Sequence, residues 1–448
     1  MFGLGIGSII MIAITMVFGF YMAWTIGAND VANSMGTVFG SGSISLKKII
    51  IIAAIFEFLG AFLVGAHVTE TLKSGIVDPS YFQNVDYFTG DRGIYIFIAG
   101  MLSVLLAASL WVTLATYRSL PISTSQSIVG AVAGFGLISV LLQDIPLGSI
   151  NGSKLIEIST GWVVSPFLGG ALSFLLFSII KKTIFDSKRP EKIAHIMVST
   201  FIILVFFILL MAGLSGGLKN LRSVLEEVVS GRMLDLFFNN LLLKVVIVGT
   251  ISIFIGIMGG IFLKRSKNLN NKDPNERVEI MFSGLLILTA CYVAFAHGAN
   301  DVANAIGPVA AIVQTLMNGG EISGTVGIPI WVLAIGGLGI VVGISTWGYK
   351  VMNTIGKKIT HITPTRGFSA SFGAASSVLL CSLFGIPVST SQIIVGSVIG
   401  VGMAGGIAAI DLRVIRTIII SWVFTIPVAA VTTGFIFLFF RAIAINLL

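Results

Sequence analysis

Apolar runs about 20 residues long recur along this chain, and that is the length of helix that crosses a lipid bilayer. They fall at about 4–27, 49–68, 94–116, 161–180, 193–214, 241–263, 281–299, 330–349, 367–386 and 417–440. Two further segments, about 121–142 and 387–408, are apolar but interrupted by Gly and by a Ser/Thr cluster. They are expected to be broken or re-entrant. Inside lipid every backbone N–H and C=O must find its partner within the chain, which helices achieve. The expected fold is an all-α polytopic membrane protein of about 12 segments. Composition agrees: 56% of the 448 residues are hydrophobic and 10% are charged, against about 25% charged in a soluble domain.

The net charge of +8 does not indicate nucleic acid, because the basic residues sit in short loops between apolar runs. With Lys181, Lys182, Lys188, Arg189 and Lys192 in the cytoplasm, 19 of the 27 Lys and Arg share that side. This places both termini outside the cell and predicts a multi-pass protein of the cell membrane. The first run lacks a basic n-region and a cleavage site, so it reads as a mature helix and not as a signal peptide. Cys291 and Cys381 show neither disulfide nor zinc spacing. No P-loop and no HExxH are present.

Two motifs occur twice, in the same order. Gly27-Ala28-Asn29-Asp30-Val31-Ala32-Asn33 recurs at Gly298-Ala299-Asn300-Asp301-Val302-Ala303-Asn304. Pro121-Ile122-Ser123-Thr124-Ser125-Gln126 recurs as Pro387-Val388-Ser389-Thr390-Ser391-Gln392. The pairs Trp162-Val163 and Trp422-Val423 extend the match. In the topology above, the run with Asp30 enters from outside and the run with Asp301 from inside. The chain then divides into a first repeat (1–180), a connector with two spans (181–280) and a second, inverted repeat (281–448).

A carboxylate within lipid is costly and marks function. In Gly-Ala-Asn-Asp the expectation is a helix interrupted at the Asn-Asp pair, whose freed carbonyls join Asn29, Asp30, Asn33, Asn300, Asp301 and Asn304 as hard oxygen ligands for Na⁺. Asp30 and Asp301 are alternatively proton carriers. In the second motif Pro punctuates the chain and Ser caps a new helix. The first-turn amides, with the side chains of Ser123, Thr124, Ser125, Gln126, Ser389, Thr390, Ser391 and Gln392, form donors for a tetrahedral oxyanion. Neither motif contains Lys or Arg, so anion binding should depend on bound cations, the physical basis of symport. His297 reads as a helix-packing residue, with a site role as the alternative. Glu57 is expected to face the interior as a site neighbour or a structural partner.

These doubled segments, with His297-Gly-Ala-Asn-Asp-Val-Ala-Asn-Ala-Ile-Gly-Pro308 in the second half, resemble the PiT family of inorganic phosphate transporters over essentially the whole chain outside the connector. The resemblance implies Na⁺- or H⁺-coupled uptake of phosphate, an inverted-repeat fold, a homodimer, and no cofactor beyond the carried ion. The first copy continues Ser34-Met35-Gly36-Thr37 where the second has Ala305-Ile306-Gly307-Pro308, so the halves differ chemically. A sulfate permease of the same fold, an anion channel and an intramembrane enzyme are the competing readings.

Overall fold

A computed structural model describes residues 5–72, 75–83, 92–215, 240–264, 272–322, 329–383, 386–406 and 410–446. Among them are twelve α-helices: α1 (Ile6–Ser41), α2 (Leu46–Leu72), α3 (Arg92–Tyr117), α4 (Thr124–Leu141), α5 (Gly152–Ile180), α6 (Pro190–Ser215), α7 (Leu241–Lys264), α8 (Pro274–Met317), α9 (Ile330–Asn353), α10 (Pro364–Leu383), α11 (Thr390–Gly405) and α12 (Leu412–Asn446). Ten are long and apolar enough to cross a membrane; α10 and the 16-residue α11 are the exceptions. Local chemistry sets the ends. α1 stops where Gly42 takes a left-handed φ of 66°, and α8 starts with Pro274 in its first turn.

Packing contacts between the halves reproduce themselves when the halves are exchanged. α1 packs on α9 and α8 on α2; α5 on α11 and α12 on α4; α12 on α3 and α5 on α10. The correspondence extends to residues. A Cβ on Gly27 would meet the Ile340 carbonyl, and one on Gly298 the Glu57 carbonyl. Gly130 and Gly396 likewise press on Ile426 and Pro166. Gly19 of α1 packs on Val309 of α8, whereas Asp30 lies beside His297 and Asp301. Residue numbers fall along α8 as they rise along α1, so the two equivalent helices are antiparallel and the repeat is inverted.

In each half two helices form a hairpin whose turn carries the Pro-x-Ser-Thr-Ser-Gln motif. Hairpin 1 is α3–α4, and both of its outer ends lie on one face. Phe97 of α3 and Phe135 of α4 both pack on Phe82, at 5.6 and 5.4 Å between centroids. Just past α4, Arg441 of α12 grips Asp144 with two bonds of 2.6 and 2.7 Å. Hairpin 2 is α10–α11 and is rooted on the opposite face, where Gly405 lies against the Arg366 guanidinium and Asp411 N–H donates to the Ile359 carbonyl. The interruptions foreseen in the two Ser/Thr-rich segments are these hairpin turns.

The Asp144–Arg441 fork ties the root of hairpin 1 to α12. Asp144→Asn removes one charge from a mostly desolvated pair, a loss of about 1–3 kcal/mol because Arg441 keeps some solvent contact. A lower thermal midpoint in detergent with unchanged phosphate half-saturation in liposomes is the expected outcome.

The structure differs from the sequence reading at the Asn-Asp pairs. α1 and α8 run through both GANDVAN segments without a break. The glycines there permit close helix approach instead of backbone rupture, so no carbonyls are freed. Continuous helix keeps Asn29 and Asn33 one turn apart on one face. In the connector, α6 and α7 pack together and α6 touches α8, with Arg277 and Glu191 paired at 3.1 Å. Residues 216–239 and 265–271 of the connector lie outside the described residues.

Candidate substrate and ion site

The hairpin turns meet α1 and α8 at the GANDVAN segments. Ser123 caps α4, its side chain accepting from Gln126 N–H at 3.1 Å; Ser389 caps α11 the same way from Gln392 N–H at 3.3 Å. Each cap satisfies one first-turn amide and leaves those of Thr124 and Ser125, or of Thr390 and Ser391, without an intrahelical acceptor. Two helix N-termini from opposite halves thus converge on one region, each with the positive end of its dipole.

Several of the remaining contacts cross between halves. Asn33 Nδ2 donates to Ser391 Oγ at 2.9 Å, and its equivalent Asn304 Nδ2 reaches Ser125 Oγ at 3.4 Å. Asp30 accepts from Thr124 Oγ1 at 2.6 Å and from Ser391 Oγ at 3.3 Å. Asn29 instead binds the turn of hairpin 1, donating to Thr116 Oγ1 (2.8 Å) and the Leu120 carbonyl (3.1 Å) and accepting from Ile122 N–H (3.3 Å). Asn300, which faces the cavity, donates to its neighbour Asp301 at 2.9 Å. Gln392 Oε1 accepts from Ser165 at 3.4 Å, and the buried Gln126 Oε1 has no hydrogen-bond partner.

Beside this cluster lies a second group that sequence reasoning left undecided. His297 Nε2 is 2.5 Å from Asp301 Oδ2 and its Nδ1 is 3.4 Å from Glu57 Oε2. These approaches lack hydrogen-bond geometry, so Glu57 Oε2, Asp301 Oδ2 and both imidazole nitrogens are buried polar atoms without a hydrogen bond. Glu57 Oε1 accepts from Ser34 at 3.0 Å. Asp30, His297 and Asp301 each offer an atom within 4.8 Å of the others. Buried carboxylate oxygens of this kind call for a cation or a proton, which a protonated His297 or a bound ion supplies. Glu57 and His297 thus stand beside Asp30 and Asp301 in one buried polar group. The signal was faint, because neither residue recurs: their equivalents are Ile340 and Ile26. Ser34, opposite Ala305, follows the same pattern, so the group has no counterpart at the repeat-related positions Ile26, Ile340 and Ala305.

A cavity of about 580 Å³ leads to the cluster. At its mouth stand Ile76, Lys154 and Glu157; at its floor are Asn304, Ser125 and Thr390. Lys154 pairs with Glu157 at 2.7 Å, so the one lysine among the described lining residues is partly neutralised; His297 lines the cavity as well. The arrangement offers many neutral donors to an oxyanion and a set of buried carboxylates to cations.

Comparison with known proteins bears on which anion. Residues 26–433 match the profile of the phosphate transporter family. A Pyrococcus horikoshii protein that bears a provisional phosphate-permease name is 41% identical over 95% of this chain and 97% of its own length. Inorganic phosphate transporter 2-1, chloroplastic, of Arabidopsis thaliana is 39% identical over 96% of this chain and 72% of its own. A solved structure described as the sodium-dependent phosphate transporter superposes with a TM-score of 0.79 at 38% identity, covering 97% of this chain and all of that one. The family is one of transporters, which sets aside the intramembrane-enzyme reading. The doubled motifs, the inverted helical repeat and the profile match converge: this multi-pass membrane protein belongs to the phosphate transporter family.

Proposed function

We propose that the protein is a secondary active symporter that takes up inorganic phosphate with Na⁺ across the cell membrane, with both termini and the Lys154 face outside. The observation that carries this reading is the convergence of the two Ser-capped helix starts on a cavity bordered by buried carboxylates. Phosphate would lie between Ser123–Gln126 and Ser389–Gln392, held by first-turn amides and hydroxyls. Na⁺ would be held by Asp30, Asp301 and Glu57, with Asn33 and Asn304 between ion and anion. A doubly charged anion beside three carboxylates is repelled until cations neutralise them, so each ligand raises the affinity for the other. The sodium dependence in the solved relative's name supports Na⁺ as the driver. A homodimer is part of the same family-based reading.

His297, placed between two carboxylates, favours one second reading, in which a proton replaces Na⁺. Uptake of labelled phosphate into proteoliposomes separates the two. An inward Na⁺ gradient should drive accumulation above equilibrium, indifferent to sulfate. Accumulation with a proton gradient alone would reassign the ion, sulfate suppression would question the substrate, and no accumulation under either gradient would favour a channel.

The Ser hydroxyls test the anion position. Ser125→Ala and Ser391→Ala should each raise the phosphate concentration for half-maximal uptake by about ten- to a hundredfold, the loss of one hydrogen bond to a charged ligand. Half-saturation by Na⁺ should move less. Unchanged phosphate affinity in both variants would place the anion elsewhere.

A further inference from the structure

The two halves are equivalent in sequence, yet their hairpins are held differently. Three grips fix the turn of hairpin 1. Asn29 takes both strands of the turn, through Thr116, the Leu120 carbonyl and Ile122 N–H. Asp30 accepts from Thr124 at 2.6 Å. Trp422 of α12 donates its indole N–H to the Pro121 carbonyl at 3.0 Å. The repeat maps these onto Asn300 with Ile386 and Val388, onto Asp301 with Thr390, and onto Trp162 with Pro387. Among the described residues none of these three equivalent grips is made. Asn300, Ile386, Val388 and Trp162 instead line the cavity, and the Asn300 amide turns to its own neighbour Asp301.

We propose that Asn29 and Asn300 are positioning residues that hold the two hairpins in alternation. In the state seen here Asn29 grips hairpin 1, and the turn of hairpin 2 borders a cavity that reaches the Lys154 face. In the opposite state Asn300 donates to the Ile386 carbonyl and accepts from Val388 N–H, while Asn29 releases Leu120 and Ile122. The inverted repeat supplies the reason: each half can adopt the conformation the other shows. One set of bonds replaces a like set, so the two states stay close in energy and a modest ligand preference can shift them. A carboxamide suits the task because it donates and accepts at once and carries no charge that would compete with the carried ions. For Asn29 this assigns a role other than ion ligand, since both amide protons and one oxygen lone pair are already engaged. The transport readout rests on the symporter reading given above; the labelling readout does not.

The test uses the full chain in liposomes, on a background of Cys291→Ser and Cys381→Ser, with Ala375→Cys in the cavity wall as reporter. A membrane-impermeant thiol reagent is applied to the Lys154 face without phosphate or gradient. Asn29→Ala should slow labelling by roughly tenfold, the loss of the grip that favours this state. Asn300→Ala should label at least as fast as the parent and fail to accumulate phosphate, because hairpin 2 no longer closes. The double variant should return labelling towards the parent rate, since both states lose their grip. Trp422→Phe, which removes only the Pro121 bond, should shift labelling in the same direction as Asn29→Ala and stands in if that variant does not fold. Unchanged labelling of Asn29→Ala, or slower labelling of both single variants, would overturn the proposal. So would a double variant that fails to restore labelling, or Asn300→Ala accumulating phosphate normally. Because labelling is read without substrate, an error in the assigned anion would leave its outcome standing.

Discussion

Replacing Asp30 by Asn is expected to reduce Na⁺-driven phosphate uptake about 100-fold or more, to the level of empty liposomes, without preventing folding. The carboxylate sits at the crossing of both halves. It receives the Thr124 hydroxyl from hairpin 1 and the Ser391 hydroxyl from hairpin 2, and it lies against Asp301 and His297. Asn preserves the shape but presents one acceptor and two donors where two acceptors are needed. It also removes the charge that attracts the cation. A deficit of about 3 kcal/mol in charge-assisted binding corresponds to about 100-fold. Retained thermal stability with lost uptake would identify a site defect. Normal Na⁺-driven uptake would remove Asp30 from the ion site.

Gly298→Val should produce the largest loss of stability. A Cβ on Gly298 would occupy the place of the Glu57 carbonyl on α2, whose backbone cannot swing aside as a side chain can. Separating α2 from α8 also pulls Glu57 from His297 and from Ser34 on α1. Overpacking costs about 1–3 kcal/mol even in adaptable cores, and here it is compounded by the parted polar contacts. Gly284→Val on the same helix is the control, because nothing lies within 4 Å of the Cβ it would add. The expected outcome is loss of monodisperse protein in detergent for the first variant and near-normal behaviour for the second.

Much of this arrangement is legible in the amino-acid order. Pro followed by Ser-Thr-Ser announces a helix restart twice, and both restarts occur where the capping chemistry places them. The Trp-Val pairs mark the helices beside the turns, although only the bond from Trp422 reveals what such a Trp holds. Gly-Ala-Asn-Asp misleads, because glycine beside two polar residues looks like a helix break. Its purpose depends on a helix more than 300 residues away in sequence, which local reasoning does not see: Gly27 is small so that Ile340 can approach. Glu57 and His297 escape the repeat signal altogether, since each has an Ile as its counterpart.

The interlocked packing has a consequence for how the protein is made. α1 finds its main neighbour in α9 and α2 finds its own in α8, so neither half completes its core by itself. During synthesis, the face of α1 that carries Asp30 must wait in the bilayer for α8 and α9 to emerge, on the order of tens of seconds at ordinary translation rates. Over that interval a buried carboxylate faces lipid or transient company. A truncated chain ending before α8 should therefore be cleared by quality-control proteases and not accumulate as a stable half.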